Sequence, residues 1–600
     1  MHKRLTRFGS LVCIFAGAAL LALAATGNAV ARGDNVPEAR SLLGSYLAGR
    51  IARGQHDSEA ASIYYGRALQ RDPANEALME QALIMDAAEG RFDEAIKLAR
   101  QLAAIQPTHR MAQLVLGLAE AKAGRHAAAE DHFKASGSGM IGELTAALAR
   151  GWMMAARGDI KGATDILDSV KQAEWAQYYI RYHKALMFDV GGRRTEARTT
   201  YDRIFRADGK SLRTTLAYVH HASAAGDQKL ARSILDEHSK KVGGNLHPLT
   251  KALQEQIRSN ERLPLLIDNP TEGLAEVFFG LGEFLSGEGS VSVGAIYLQM
   301  ALYLKSDAPL ALAALANVYE STKRYDSAIA AYDRIPTPTP LQSAVEIRKA
   351  LNLNQLERVD EAKGLLERLA QTDPTDIRAL EALGNIMRGR KRYQEAADYY
   401  SRAIAIIGAK PDKKHWTFFY ARGTCYERIK RWPLAETDLQ KAMQLAPDQP
   451  LVLNYLGYSW VDQNRNLKQG LALIEKAVSL KPDDGYIVDS LGWAHFRMGN
   501  FKEAVKYLEK AVELKPEDPV LNDHLGDAFW RVGRELEARF QWSQALTLKP
   551  EPEDVEKIKR KVEKGLPAKP QARVVKKSKE PVRAEGPKKQ TKLGPQRPVE

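Results

Sequence analysis

The stretch from residue 485 to 550 states one pattern twice, at an interval of 34 residues. Gly492, Gly499, Ala504, Ala511 and Pro516 return as Gly526, Gly533, Ala538, Ala545 and Pro550. A fixed period of this length marks a chain assembled from one supersecondary unit, stacked so that each copy covers the apolar face of the next. Such a chain grows by stacking, so its 600 residues measure repeats and not separate globular domains.

The residue types describe the unit. Leu525, Phe529 and Trp542 fall at helical spacing on one inward stripe. Gly526, Ala538 and Ala545 stand where two helices cross closely; bulkier side chains there overpack the crossing by ~1–3 kcal/mol each. Pro550 stops the second helix, since an interior proline costs about 3 kcal/mol. Each unit is therefore a helical hairpin that needs neighbours to bury its apolar face.

The same phase runs along the chain. Position 8 of the unit is occupied in turn by Gly49, Leu83, Gly117, Gly151, Ala185 and Val219, with Ala61, Ala95, Ala129, Ala163, Ala197 and Ala231 twelve residues further on. Gly90, Gly124, Gly158, Gly192 and Gly226 mark turns between paired helices, and Pro73 and Pro107 mark unit ends. Phase is lost between Gly243 and Gly273, where one helical stretch lies between Pro248 and Pro264. Two readings fit it: an irregular helix joining two arrays, or a degenerate repeat. A second series begins at Gly282 and continues through Ala316, Ala350, Gly384, Gly423, Gly457, Gly492 and Gly526, with residues 408–414 lengthening a turn before Gly423.

Leu525-Gly526, Phe529, the Ala538/Trp542 pair and terminal Pro550 together resemble the tetratricopeptide repeat (TPR), whose pattern is L-G, an aromatic three residues on, A-x3-F and a closing proline. The resemblance implies an all-α fold, a right-handed α-solenoid of TPR hairpins in two arrays joined by an irregular helical linker. On this reading residues 32–245 form an N-terminal array of about six degenerate repeats, 246–271 the linker helix and 272–550 a C-terminal array of about eight. Residues 551–566 read as one more helix, with acids at its start, bases at its end and Val555, Ile558 and Val562 on one face, and cap the last hairpin.

The ends differ from the body. Residues 1–31 have a basic start at Lys3, Arg4 and Arg7, an apolar run from Leu11 to Ala25 and an Ala29-Val30-Ala31 site, which reads as a secretory signal peptide cleaved after Ala31. The competing reading is an organelle transit peptide. From residue 567 onward there are six prolines and ten Lys or Arg against Glu580, Glu585 and Glu600, which reads as a disordered basic tail. Of the formal net charge of +13, the first 31 residues carry +3 and the tail +7, leaving +3 for the repeats. Cys13 falls in the leader, so Cys425 stands alone in the mature chain and reads as a buried structural thiol.

Motifs of chemistry are scarce, and no catalytic, cofactor or metal site is expected. Gly287-Glu288-Gly289 with Gly294 lacks the lysine and the preceding strand of a phosphate loop, since Ala295 stands where the lysine belongs. His220 and His221 are adjacent, unlike the i, i+4 spacing of a helical metal site, and read as helix surface. What the array presents is a curved surface. In the TPR family the first helix of each hairpin lines the concave side through repeat positions 2, 5, 9, 12 and 13. Carried onto the last four repeats, these positions are Tyr420, Thr424, Arg428, Asn454, Tyr458, Asp462, Tyr486, Asp489, Trp493, Phe496, Arg497, Asp523, Asp527, Trp530 and Arg531. Aromatics and arginines on one face are the types enriched at interface hot spots. Trp460 and Trp542 fall at inter-helix positions and read as core, whereas Trp493 and Trp530 have two readings, ligand contact or packing within a tight superhelix.

Residues 453–546 are also similar to a group of long exported bacterial TPR proteins, some of which resemble outer-membrane lipoproteins that act as adaptors for a periplasmic carboxyl-terminal processing protease. This chain lacks their lipid-attachment cysteine, because its apolar run continues past Cys13. The expectation is an exported, non-enzymatic scaffold, soluble in the periplasm or envelope-associated. It binds a protein or peptide on its concave face and no small-molecule substrate, and serves envelope assembly or protease regulation. The alternative makes the basic tail the working part, holding an anionic envelope polymer or membrane surface, with affinity falling as salt rises.

Overall fold

The computed structural model describes residues 39, 41–170 and 174–567. The leader 1–31, Cys13 and the tail beyond Pro567 lie outside them. Among the described residues there are thirty α-helices, one single-turn 3-10 segment and no strand, and successive helices pair as hairpins. Helix starts obey local chemistry. Asp57, Asn75, Asp484 and Asp518 accept backbone N–H bonds at N-caps, and Pro248, Pro270, Pro309, Pro450, Pro519 and Pro552 begin helices where a missing N–H costs nothing.

The two helices of each hairpin meet around one recurring contact. A Cβ placed on Gly117, Gly384, Gly492 or Gly526 would stand 2.8, 2.6, 2.6 or 2.5 Å from Phe133, Tyr400, Leu508 or Trp542 respectively. Each partner lies sixteen residues later, so the large side chain of the second helix fills the space that glycine leaves in the first. Ala61, Ala95, Ala129, Ala163, Ala197 and Ala231 are all at 0% exposure, as their crossing positions require. The turns within hairpins reuse one left-handed residue: Gly90 and Gly124 at φ +72° and +75°, with Lys323, Glu357, Lys391 and Lys430 in the same role at +59° to +63°. The N–H one residue on reaches back to the first helix, as in Arg91 N to Asp86 O at 2.8 Å, closing the exposed carbonyls.

The chain divides into two compact units, Met1–Ile406 and Ile407–Glu600, next to the lengthened turn at 408–414. The helix expected between Pro248 and Pro264 is present as Pro248–Arg258, packed on Leu212–Ala224 and Gln228–Lys241. The first unit, however, does not stop there. Its apolar core runs from Leu83 through to Val345, because the hairpin formed by Pro270–Gly287 and Val291–Leu304 lies against the inner helices of the preceding repeats. Pro270–Gly287 packs on Gly139–Ala156 and Glu174–Val190; Val291–Leu304 packs on Glu76–Ala88 and Arg110–Lys122.

That hairpin is keyed by specific contacts. Gly273 lies flat on the Trp152 ring, 2.4 Å from a notional Cβ, and Trp152 is fully buried with Nε1 donating to His183 Nδ1 at 3.1 Å. Trp175 stacks on Phe284 at 4.7 Å and Thr145 Oγ1 and Tyr297 OH are 3.0 Å apart; in the hairpin that follows, Arg324 grips Glu89 at 2.7 and 3.1 Å. Arg213 bonds Glu276, which also accepts from Tyr182 OH at 3.0 Å. The inner face of the first repeats is thus filled by the chain itself. One expectation fails here. His221 is 3% exposed and bonds Asp189 Oδ1 at 2.5 Å, while His220 Nδ1 sits 2.8 Å from Pro264 O. The pair therefore ties its helix to the neighbouring repeat on one side and to the Pro264 segment on the other, and is not free helix surface.

Candidate functional site

In the second unit the first helices of successive hairpins, Trp416–Arg428, Pro450–Asp462, Gly485–Arg497 and Pro519–Arg531, carry all fourteen residues named for a groove, and Thr424. Thr424 is buried with its hydroxyl donating to Ala421 O at 2.8 Å, so it serves its own helix. The core tryptophans behave as their positions require: Trp542 is at 0% exposure with Nε1 donating to Asp527 Oδ1 at 2.9 Å, and Trp460 donates to Glu436 at 2.6 Å. Cys425 is buried.

The structure sorts the remaining positions into two groups. Arg428, Asn454, Tyr458, Asp462, Tyr486 and Asp489 line two neighbouring hollows. One, of about 550 Å³, lies over Glu427, Arg428, Lys430, Trp432, Tyr455, Tyr458 and Asp462. The other, of about 240 Å³, is bounded by Asn454, Tyr455, Tyr458, Tyr486, Asp489, Asp518, Val520 and His524. Tyr455 and Tyr458 form the ridge between them. Tyr420 supports that ridge from the side, edge-on to Tyr455 at 5.7 Å.

Asp523, Asp527, Trp530 and Arg531 form the second group, and the last of the described helices, Pro552–Lys564, covers them. Lys561 Nζ is 2.7 Å from Asp523 Oδ2 and 2.8 Å from Asp527 Oδ1. Gly565 lies on the Trp530 ring, and Arg531 Nη1 donates to Pro567 O at 2.8 Å. Burial lifts the Asp527 carboxyl above its ordinary range even with Lys561 beside it. The helix expected at 551–566 is therefore both an end cap and an occupant of the last repeat's inner face. Trp493 lies between the groups, stacked between Phe496 at 4.8 Å and His524 at 4.1 Å, and Arg497 Nη2 donates to Asp462 O at 2.7 Å.

Two buried polar atoms facing the hollows have no partner: Asn454 Oδ1, an acceptor, and Trp432 Nε1, a donor. Buried polar groups are paired as a rule, and an orphan acceptor at the smaller hollow with an orphan donor at the larger matches the N–H and C=O groups that an extended peptide crossing both would present. At the floor, His524 Nδ1 is 3.0 Å from both oxygens of Asp489; burial opposes the imidazolium, yet Asp489 holds the histidine above its ordinary pKa. Tyr455, Trp432 and His524 were not among the residues named from sequence. Tyr455 and His524 share repeat position 6, one residue beside the groove positions, and their polar or aromatic character there is the signal that points to them.

These features define a helical-repeat array with an open, aromatic-lined inner face. Tetratricopeptide-repeat profiles match residues 46–109, 86–138 and 347–413, a second profile of the family matches 490–518, and a third 311–341. These segments of the chain are tetratricopeptide repeats, a unit whose arrays are protein-interaction scaffolds. It is 30% identical over 159 residues to the TPR repeat-containing protein PA4667 of Pseudomonas aeruginosa, covering 26% of this chain and 25% of that one. It is 28% identical over 134 residues to the Hsp70-Hsp90 organizing protein of Triticum aestivum, covering 22% and 21%. The chain thus spans about a quarter or less of the length of these curated relatives. Among solved structures it is similar to yeast Tom70 (14% identity, 87% and 95% of the two chains, TM-score 0.31). It is also similar to YrrB, described as a TPR protein with an unusual peptide-binding site (17% identity, 32% and 97%, TM-score 0.26).

Proposed function

We propose that this chain is an exported scaffold that binds an extended peptide segment of a protein partner across the inner face of its second unit, from Arg428 to Val520. The observation that carries this reading is the pair of hollows on the ridge of Tyr455 and Tyr458, with Asn454 Oδ1 and Trp432 Nε1 buried beside them and unpaired. Elsewhere the chain fills its own inner face, with residues 270–304 in the first unit and 552–567 in the second. An extended polypeptide supplies alternating donors and acceptors, and aromatic walls accept its side chains. The setting is the cell envelope, in assembly or in regulation of a processing protease; what supports this part is the leader at 1–31 and the similarity of residues 453–546 to exported repeat proteins.

Peptides selected on the full-length chain from a display library test the reading. Replacing Asn454→Ala together with Tyr458→Ala is expected to weaken the selected peptides at least 10-fold by calorimetry, about 1.4 kcal/mol. Unchanged affinity, with folding verified by circular dichroism, moves the binding site elsewhere.

A further inference from the structure

The smaller hollow of the second unit has the chemistry of a cation site. Three tyrosine rings, Tyr455, Tyr458 and Tyr486, stand around it with the carboxylates of Asp489 and Asp518 and the unpaired oxygen of Asn454. Asp518 spends part of one oxygen on its own helix, accepting from Val520 N at 2.8 Å and Leu521 N at 3.2 Å. His524 is the one basic residue of the lining, and its Nδ1 is engaged by Asp489 at 3.0 Å. The lining therefore carries two acids against at most one positive charge. An amide oxygen with nothing to accept, acids and electron-rich ring faces all favour an ammonium or guanidinium.

The next repeat shows the equivalent acid already holding an ammonium. Asp523 stands 34 residues after Asp489, at the same repeat position. There the chain's own Lys561 places its ammonium between Asp523 and Asp527 at 2.7 and 2.8 Å. Tyr486 in turn has Lys515 Nζ 5.1 Å from its ring centroid. Beyond Lys561 the chain stays on the inner side of Pro519–Arg531, where Gly565 lies on Trp530 and Arg531 holds the Pro567 carbonyl. The same helix presents Val520 and His524 to the hollow. From Arg531 back to Val520 is about 16 Å of helix, which about five extended residues span. Residues 568–600 begin at that point and carry ten Lys or Arg against three Glu, and Arg573, Lys576 and Lys577 lie far enough along to cover that distance.

We propose that this hollow is a pocket for a lysine or arginine side chain and that its resident occupant is a basic residue of the chain's own segment 568–600, which a partner peptide must displace. The proposal rests on the inner face of the second unit being the ligand site. It is tested in the full-length chain with the photo-crosslinking residue p-benzoylphenylalanine in place of Val520, which is 48% exposed at the rim. The expected result is an intramolecular adduct between position 520 and segment 568–600, independent of protein concentration. Its yield falls several-fold in 0.5 M NaCl, and likewise with Asp489→Asn or Tyr486→Ala; Tyr486 is 51% exposed, so that substitution leaves the fold intact. Adducts only with other polypeptides from an envelope extract overturn the tail as occupant while leaving the inner face as a binding surface. A tail adduct insensitive to salt and to both substitutions overturns the pocket, and a purified chain with no adduct to its tail overturns the proposal.

Discussion

Replacing Glu276→Ala tests whether the first unit really closes its own inner face. Glu276 lies on the inserted helix Pro270–Gly287 and is bonded by Arg213 and by Tyr182 OH, with side-chain exposures of 14% for Glu276 and 12% for Arg213. Arg213 also stacks over Phe279 at 4.4 Å, so its charge sits among apolar groups. Breaking a buried ion pair by removing one partner costs about 3–5 kcal/mol, because the other charge stays behind. Glu283 Oε2, 3.5 Å from Arg213 Nη1 and 57% exposed, takes up part of that charge. The lower end, about 3 kcal/mol, is therefore expected. Hydrogen exchange on the full-length chain reads it locally: amides in Gly139–Ala156, Glu174–Val190 and Pro270–Gly287 should open about 100-fold more readily. The double substitution Arg213→Met with Glu276→Leu removes both charges and should recover to within about 1 kcal/mol of the parent. A loss below about 1 kcal/mol for Glu276→Ala, the range of exposed pairs, would refute the filled inner face.

The same geometry sets three further outcomes. His183 is buried neutral with its pKa pulled to about 3 by burial and then by Arg213, so the unfolded chain takes up a proton first as pH falls below about 6.5; stability is lost from there down to about 3, some 2 kcal/mol by pH 5. His524 is raised, chiefly by Asp489 acting against burial, so its contribution is present below about 6.5 and fades as pH rises through its higher folded value. Between pH 8 and 5, amide protection corrected for the intrinsic exchange rate should then fall around residue 183 and rise around 524, with His183→Gln and His524→Gln each abolishing its own trend. Gly384→Ala forces a methyl to 2.6 Å from the Tyr400 ring and should cost ~1–3 kcal/mol, while Gly66→Ala, with nothing within 4 Å in mid-helix, should stabilise by about 0.5–1 kcal/mol; denaturant midpoints decide both. Lys561→Met strands Asp523 and Asp527 side by side at 19% and 8% exposure, and should release the cap helix by about 3 kcal/mol, seen as proteolysis near 548–551.

The amino-acid sequence by itself determined the hairpins, their 34-residue phase, the turns and the helix ends. Each is a local matter: glycine opposite a bulky residue sixteen positions later, a capping aspartate, a left-handed turn residue, a proline where an N–H is dispensable. Repeat position also assigns the fourteen named residues to the first helix of each hairpin, because it dictates helix face. Which of those faces stays open was decided only in three dimensions. Gly273 meets Trp152 from 121 residues away, and Lys561 meets Asp523 from the far side of a hairpin. Such closures depend on non-local packing energy, which leaves no periodic trace in the chain, so a sequence of equivalent repeats becomes one filled face, one capped end and, among the described residues, one groove between Arg428 and Val520 that no other helix covers.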